Sequence, residues 1–91
     1  DSLFFMEEKI TAEALERAVP RLFAEKSCGE VFRIKGFVKN GAGQWMELNA
    51  TPDSHTMQPV AVGQEVLIVI GEHLQEDKIR EILKEEEKCQ S

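Results

Sequence analysis

Four side chains in this sequence have the donor chemistry to hold a transition metal: Cys28, Cys89, His55 and His73. A preformed zinc half-site needs two such donors a few residues apart, because short spacing fixes part of the tetrahedron before the metal arrives. No two of the four stand at that spacing, so each is read as a structural or surface residue rather than a ligand. A cysteine–histidine nucleophilic pair needs a third group to orient the imidazole, and the pattern offers none. Carboxylates are abundant, but they gather in the helical stretches and in the run 85–87. Paired acids for hydrolysis need a cleft instead. Glu76 stands four residues before Arg80, the favourable direction for an ion pair along a helix. Phosphate chemistry is excluded more firmly. None of the six glycines opens a GxxxxGK[ST] or GxGxxG loop and none precedes a lysine, so no run of backbone amides cradles a nucleotide.

The remaining cluster with binding chemistry is basic and aromatic: Arg33, Lys35, Phe37 and the sole tryptophan, Trp45. Their placement follows from period-two patterning. In the strand 30–39, Phe32, Ile34, Gly36 and Val38 point one way, and Val31, Arg33, Lys35, Phe37 and Lys39 the other. Asn40-Gly41-Ala42-Gly43 is a turn with residues suited to positive φ. The strand 44–50 returns with Met46, Leu48 and Ala50 inward and Trp45, Glu47 and Asn49 outward. Trp45 thus stands beside Arg33, Lys35 and Phe37, either packing over basic stems or anchoring a protein interface. Glu47 is a candidate ion-pair partner for the two cations. Gly36, on the inner face, admits the close approach of a helix backbone.

Around this hairpin, residues 3–6 read as a first, aromatic-rich strand. Thr11 reads as a helix N-cap, with Ile10 and Leu15 placed as a hydrophobic staple. Leu15, Ala18, Val19, Leu22 and Phe23 follow at the spacing of one buried helix face. Pro20 is expected to kink that helix, which then frays over 26–29. Residues 51–64 are irregular, with a possible short edge strand at 55–59 where proline is tolerated. The apolar run 66–70, ended by Gly71, marks a strand buried on both sides or lying centrally. A helix over 76–85 carries Ile79, Ile82 and Leu83 inward, with Leu74 as its staple. Residues 85–88 read as a solvated tail that frays at its end. Cys28 is placed in a loop and Cys89 in the tail, both as reduced thiols. The sum is an α+β fold: a two-layer β-α-β-β-β-α sandwich, with a mixed sheet, both helices on one face, and a right-handed crossover between the first two strands.

Ninety-one residues make a single domain, 1–91. A net charge of −6, with 17 acids against 11 bases, argues against nucleic acid, whose phosphates need a basic stripe. No apolar run is long enough to span a bilayer and no signal pattern opens the chain, so a cytoplasmic location without membrane contact is expected. A start at Asp1 rather than Met suits a piece of a longer polypeptide.

The stretch Val31-Phe32-Arg33-Ile34-Lys35-Gly36-Phe37 resembles the V-x-R-x-K-G-hydrophobic signature of CobW C-terminal domains. Val66-Leu67-Ile68-Val69-Ile70-Gly71 is similar to that family's hydrophobic-x-F-I-G strand, with Val69 in place of the usual aromatic. His73-Leu74-Gln75-Glu76-Asp77-Lys78-Ile79 is similar to its following helix start. Arg33, Lys35, Gly36, Ile70 and Gly71 are the signature residues matched. The resemblance implies an accessory domain appended to a metal-handling GTPase that acts in client docking or in relaying the nucleotide state. No catalytic, cofactor or metal residue is implied in this segment. GTP and zinc or cobalt are expected only of the parent protein, with cobalamin synthesis and general metal homeostasis as the two roles the resemblance implies for it. Its expected partners are the GTPase domain of the same chain and a client metalloprotein. The alternative is a free-standing small-ligand or metal-binding module that shares the topology.

Overall fold

The computed structural model describes residues 1–6 and 8–88. They form β1 (Ser2–Met6), α1 (Ala12–Ala24), a 3₁₀ turn (Lys26–Cys28), β2 (Glu30–Lys39), β3 (Trp45–Ala50), β4 (His55–Pro59), β5 (Val66–Glu72) and α2 (Glu76–Lys88). This is the α+β fold expected, with both helices contributing to one core against one face of the sheet. The sheet itself differs from expectation. Every pairing in it is antiparallel, so it is not mixed. The edge segment 55–59 is a full member, which makes five strands rather than four. The order β1-β5-β2-β3-β4 supplies the reason. β5 is inserted between β1 and β2, so the connection through α1 skips one strand position. β1 and β2 run the same way, yet each meets β5 only in the antiparallel sense.

Local chemistry sets the helix ends. Thr11 is the N-cap of α1, its hydroxyl accepting from the Ala14 N–H at 3.3 Å. Ile10 and Leu15 on either side of it are both buried, as a staple requires. Pro20 lies on the exposed side together with Glu16, whose carbonyl loses its donor, and α1 continues beyond it to Ala24. The segment after α1 does not fray. The Cys28 N–H donates to the Glu25 carbonyl and the Gly29 N–H to that of Lys26, each at 3.0 Å, closing the 3₁₀ turn. Cys28, expected in a loop, therefore lies in this 3₁₀ turn and is wholly buried in the core. Cys89 lies outside the described residues.

The core joins Ile34, Leu48, Leu67 and Val69 of the sheet to Leu15, Leu22, Ile79 and Ile82 of the helices. The alternation expected of β2 holds from Ile34 onward but fails before it. The register shifts between Val31 and Arg33, a bulge that places one extra residue in β2. Val31 consequently turns inward, and Phe32 is left 45 % exposed. Both are reversed from the sequence expectation, because strict alternation has no provision for an inserted residue.

Residues 85–88 are also not a solvated tail. α2 runs on through Lys88 and lays its acids against α1. Arg21 donates to Glu85 and to Glu86, both at 2.9 Å. Arg17 donates to the Glu86 carboxylate at 3.3 Å and to its carbonyl at 2.9 Å. The Thr11 N–H, one of the donors that a helix start leaves without an intrahelical partner, donates to Glu87 at 3.0 Å. The hydrogen bond from Arg21 holds the Glu86 carboxyl below the usual carboxylate range, with Arg17 adding to it.

Candidate interaction face

β2 and β3 place the four candidate residues on the sheet face away from the helices. Ile34, Val38, Leu48 and Ala50 are buried beneath α1 and α2. The intervening residues Arg33, Lys35, Phe37, Trp45 and Asn49 therefore point outward. The register pairs Lys35 with Asn49, Phe37 with Glu47 and Lys39 with Trp45. The four share a face, as expected, but they occupy two environments.

Arg33 and Lys35 are exposed. The Arg33 guanidinium donates to the Asn49 side-chain oxygen at 3.2 Å. Glu47, expected as the ion-pair partner, stands opposite Phe37 instead, and no ion pair joins it to either cation among the described residues. Phe37 and Trp45 are half-buried. The chain leaving the edge strand β4 must cross the ends of β3 and β2 to reach β5, and it passes over these two rings. The Val60 N–H donates to the Trp45 carbonyl at 3.0 Å. A Cβ on Gly63 would lie 3.0 Å from the indole and 3.2 Å from the Phe37 Cβ. The Lys39 ammonium stands 5.1 Å from the centre of the indole, within cation–π range.

The two signature glycines have a shared role. A Cβ on Gly36 would overlap the Val66 carbonyl oxygen, and one on Gly71 would overlap the Glu30 carbonyl oxygen. They lie on opposite strands of the β2–β5 pair, and each receives the other strand's backbone. The close neighbour of Gly36 is thus a strand, not the helix expected, because β5 packs beside it. Ile70, the remaining signature residue, is half-buried on the outer face opposite Arg33.

The structure extends this face beyond the hairpin. β1 points Leu3 and Phe5 inward and leaves Phe4 and Met6 outward, 61 % and 58 % exposed. β5 buries Leu67 and Val69 and leaves Val66, Ile68 and Ile70 half-exposed. Sequence reasoning did not assign these residues to the face. The available signal was the run 66–70, apolar on both sides in a chain with two helices, which leaves one side without a helix to cover it.

Among the described residues, the metal-donor candidates Cys28, His55 and His73 are not assembled. Cys28 is in the core, and burial pushes its thiol up, so it is protonated at neutral pH. His55 on β4 is bonded to Glu16 of α1 at 3.3 Å. His73 is exposed in the connection before α2. Among the described residues no three metal-binding side chains converge, no buried side-chain nitrogen or oxygen lacks a partner, and no helix is long and apolar enough to cross a membrane.

Residues 3–87 match the family described as the cobalamin synthesis protein cobW C-terminal domain. No curated protein matches the chain. Among solved structures, the zinc-bound YjiA GTPase of E. coli is similar, with a TM-score of 0.68 at 15 % identity. A zinc-bound triple mutant of the YjiA GTPase is similar with a TM-score of 0.69, also at 15 % identity. Each alignment takes in 93 % of this chain but 29 % of the YjiA chain, so the present chain spans less than a third of the protein whose fold it shares.

Proposed function

Because the chain belongs to the CobW C-terminal domain family, we propose that it is the accessory domain of a CobW-type GTPase. On this reading nucleotide binding and metal handling reside in another part of the same polypeptide. The present domain docks on that part, or on a client metalloprotein, and relays the nucleotide state between them. GTP and zinc or cobalt are then cofactors of the whole protein, with no ligand to either supplied from residues 1–91. A cytoplasmic setting suits the free thiol of Cys28.

One observation carries this reading. Nearly the whole chain aligns with only 29 % of a GTPase, and the aligned stretch holds no glycine-rich phosphate loop. The uncovered, partly basic sheet face is where such a domain would meet a partner. Calorimetry on the isolated chain is expected to show no binding of GTP or GDP, while the full polypeptide binds both. Micromolar GTP binding by residues 1–91 alone, or a surrounding reading frame without a P-loop, would contradict the assignment.

A further inference from the structure

The uncovered side of the sheet carries a continuous apolar band across β1, β5 and β2. The register sets Met6, Val66 and Phe37 in one row, and Phe4, Ile68 and Lys35 in the next. The Phe37 end is already covered by the chain's own crossing loop, through Gly63. The part left open is therefore centred on Ile68 and Phe4. An apolar area of this kind, rimmed by polar groups, is the usual mark of a docking site.

Charge states what the occupant must be. Arg17, Arg21 and Arg80 are all ion-paired with glutamates. Arg33 borders the band, and its partner is the neutral amide of Asn49. Lys35 stands beside it in no ion pair among the described residues. In a chain of net charge −6, an arginine with no carboxylate partner among the described residues lies at the edge of the uncovered apolar surface. A second copy of this face would bring no carboxylate to Arg33 from its own Phe4–Ile68–Lys35 row, whereas a partner carboxylate would find two cationic donors at the edge of the band.

We infer that the β1–β5–β2 face seats an apolar ridge flanked by a carboxylate, presented by the GTPase portion of the same polypeptide; this rests on the accessory-domain reading. Phe4 and Ile68 supply the area taken out of water. Arg33 grips the carboxylate in a fork, and Lys35 adds charge beside it. The seat is thus displaced by two strands from the Trp45 end of the sheet.

The test titrates the separately expressed GTPase portion with the 91-residue chain by calorimetry. Arg33→Glu and Ile68→Asp are each expected to weaken binding at least about tenfold. Should Ile68→Asp fail to fold, Phe4→Ser, on a mostly exposed edge residue, takes its place. Raising salt from about 50 to 500 mM is expected to weaken the unaltered pair severalfold and Arg33→Ala much less, since exposed ion pairs are screened. Association indifferent to Arg33→Glu and Phe4→Ser would overturn this face as the seat while leaving domain docking intact. No association at all would count against the accessory-domain reading itself. A stable dimer of the isolated chain, dispersed by Phe4→Ser, would show that a second copy occupies the band and would equally overturn the inference.

Discussion

The two faces of β5 are built from the same chemistry and meet different fates. Leu67 and Val69 are buried under α1 and α2, whereas Val66, Ile68 and Ile70, their immediate neighbours in sequence, stay half-exposed. β1 repeats the contrast, with Phe5 at 1 % exposure and Phe4 at 61 %. Side-chain type is shared across the sheet, so it cannot be what separates the two sides. The helices do that, because α1 and α2 both pack on one side. An apolar residue thus reports that a surface is meant to be covered, without saying by which polypeptide.

The sharpest test of the contrast compares adjacent residues of β5. Leu67→Ala, on the covered face, is expected to cost about 3–4 kcal/mol in urea or thermal unfolding, as deep leucine truncations do. Next in size is Gly36→Ala, at about 2–3 kcal/mol, because its Cβ would drive β2 away from the Val66 carbonyl. Ile68→Ala is expected to cost less, about 1–2 kcal/mol, since Ile68 is only partly buried. If Ile68→Ala proves as costly as Leu67→Ala, the outer face is covered within this chain and the contrast collapses.

The smallest effect concerns the ion pairs that hold the covering helices together. The native pKa of Glu86 lies below its unfolded value. Its contribution is therefore complete above the ordinary glutamate value of about 4.3 and is lost as pH falls through the lower native value. Melting temperatures of the unaltered chain and Glu86→Gln are expected to differ at neutral pH and to converge in acid. Because Arg17 and Arg21 remain partly exposed, the difference is expected to shrink with salt. Curves that stay parallel down to about pH 3 would show that Glu86 does not clamp α1 through its charge.

Much of the fold was legible because it rests on local rules. The Thr11 cap, the β2–β3 hairpin and the buried stripes of both helices need only spacing and turn chemistry. What was not legible depends on residues far apart in the chain. The insertion of β5 between β1 and β2 replaced the mixed sheet by an antiparallel one, and no local pattern announces such an insertion. The Phe32 bulge reversed two side chains because an extra residue breaks alternation without changing composition. Residues 85–87 looked like solvent-facing charge because their partners, Arg17 and Arg21 for Glu85 and Glu86 and the Thr11 N–H for Glu87, lie more than sixty positions earlier. The spacing of those two arginines, four apart beside the buried stripe of α1, was the available hint. Of the candidate site, Arg33, Lys35, Phe37 and Trp45 were placed on the correct face. That Phe37 and Trp45 lie beneath the crossing loop follows from strand order, which the hairpin alone does not specify.

The insertion of β5 also constrains the order in which this domain can assemble. β2, β3 and β4 are neighbours in sequence and in space, so they can pair as soon as they are made. β1 has no such option. It precedes the other strands of this sheet in the chain, yet the strand that accepts it is Val66–Glu72, about sixty residues downstream. Until then the Leu-Phe-Phe-Met run emerges with its backbone unpaired and its aromatic rings unplaced. The capping amide of Thr11 waits longer still, for Glu87 at the far end of α2. Contacts of such long sequence separation slow folding, because the intervening loop must close before any of them forms. A ribosome-bound chain that stops short of β5 therefore carries β1 unpaired, and the sheet closes only once Val66–Glu72 has been translated.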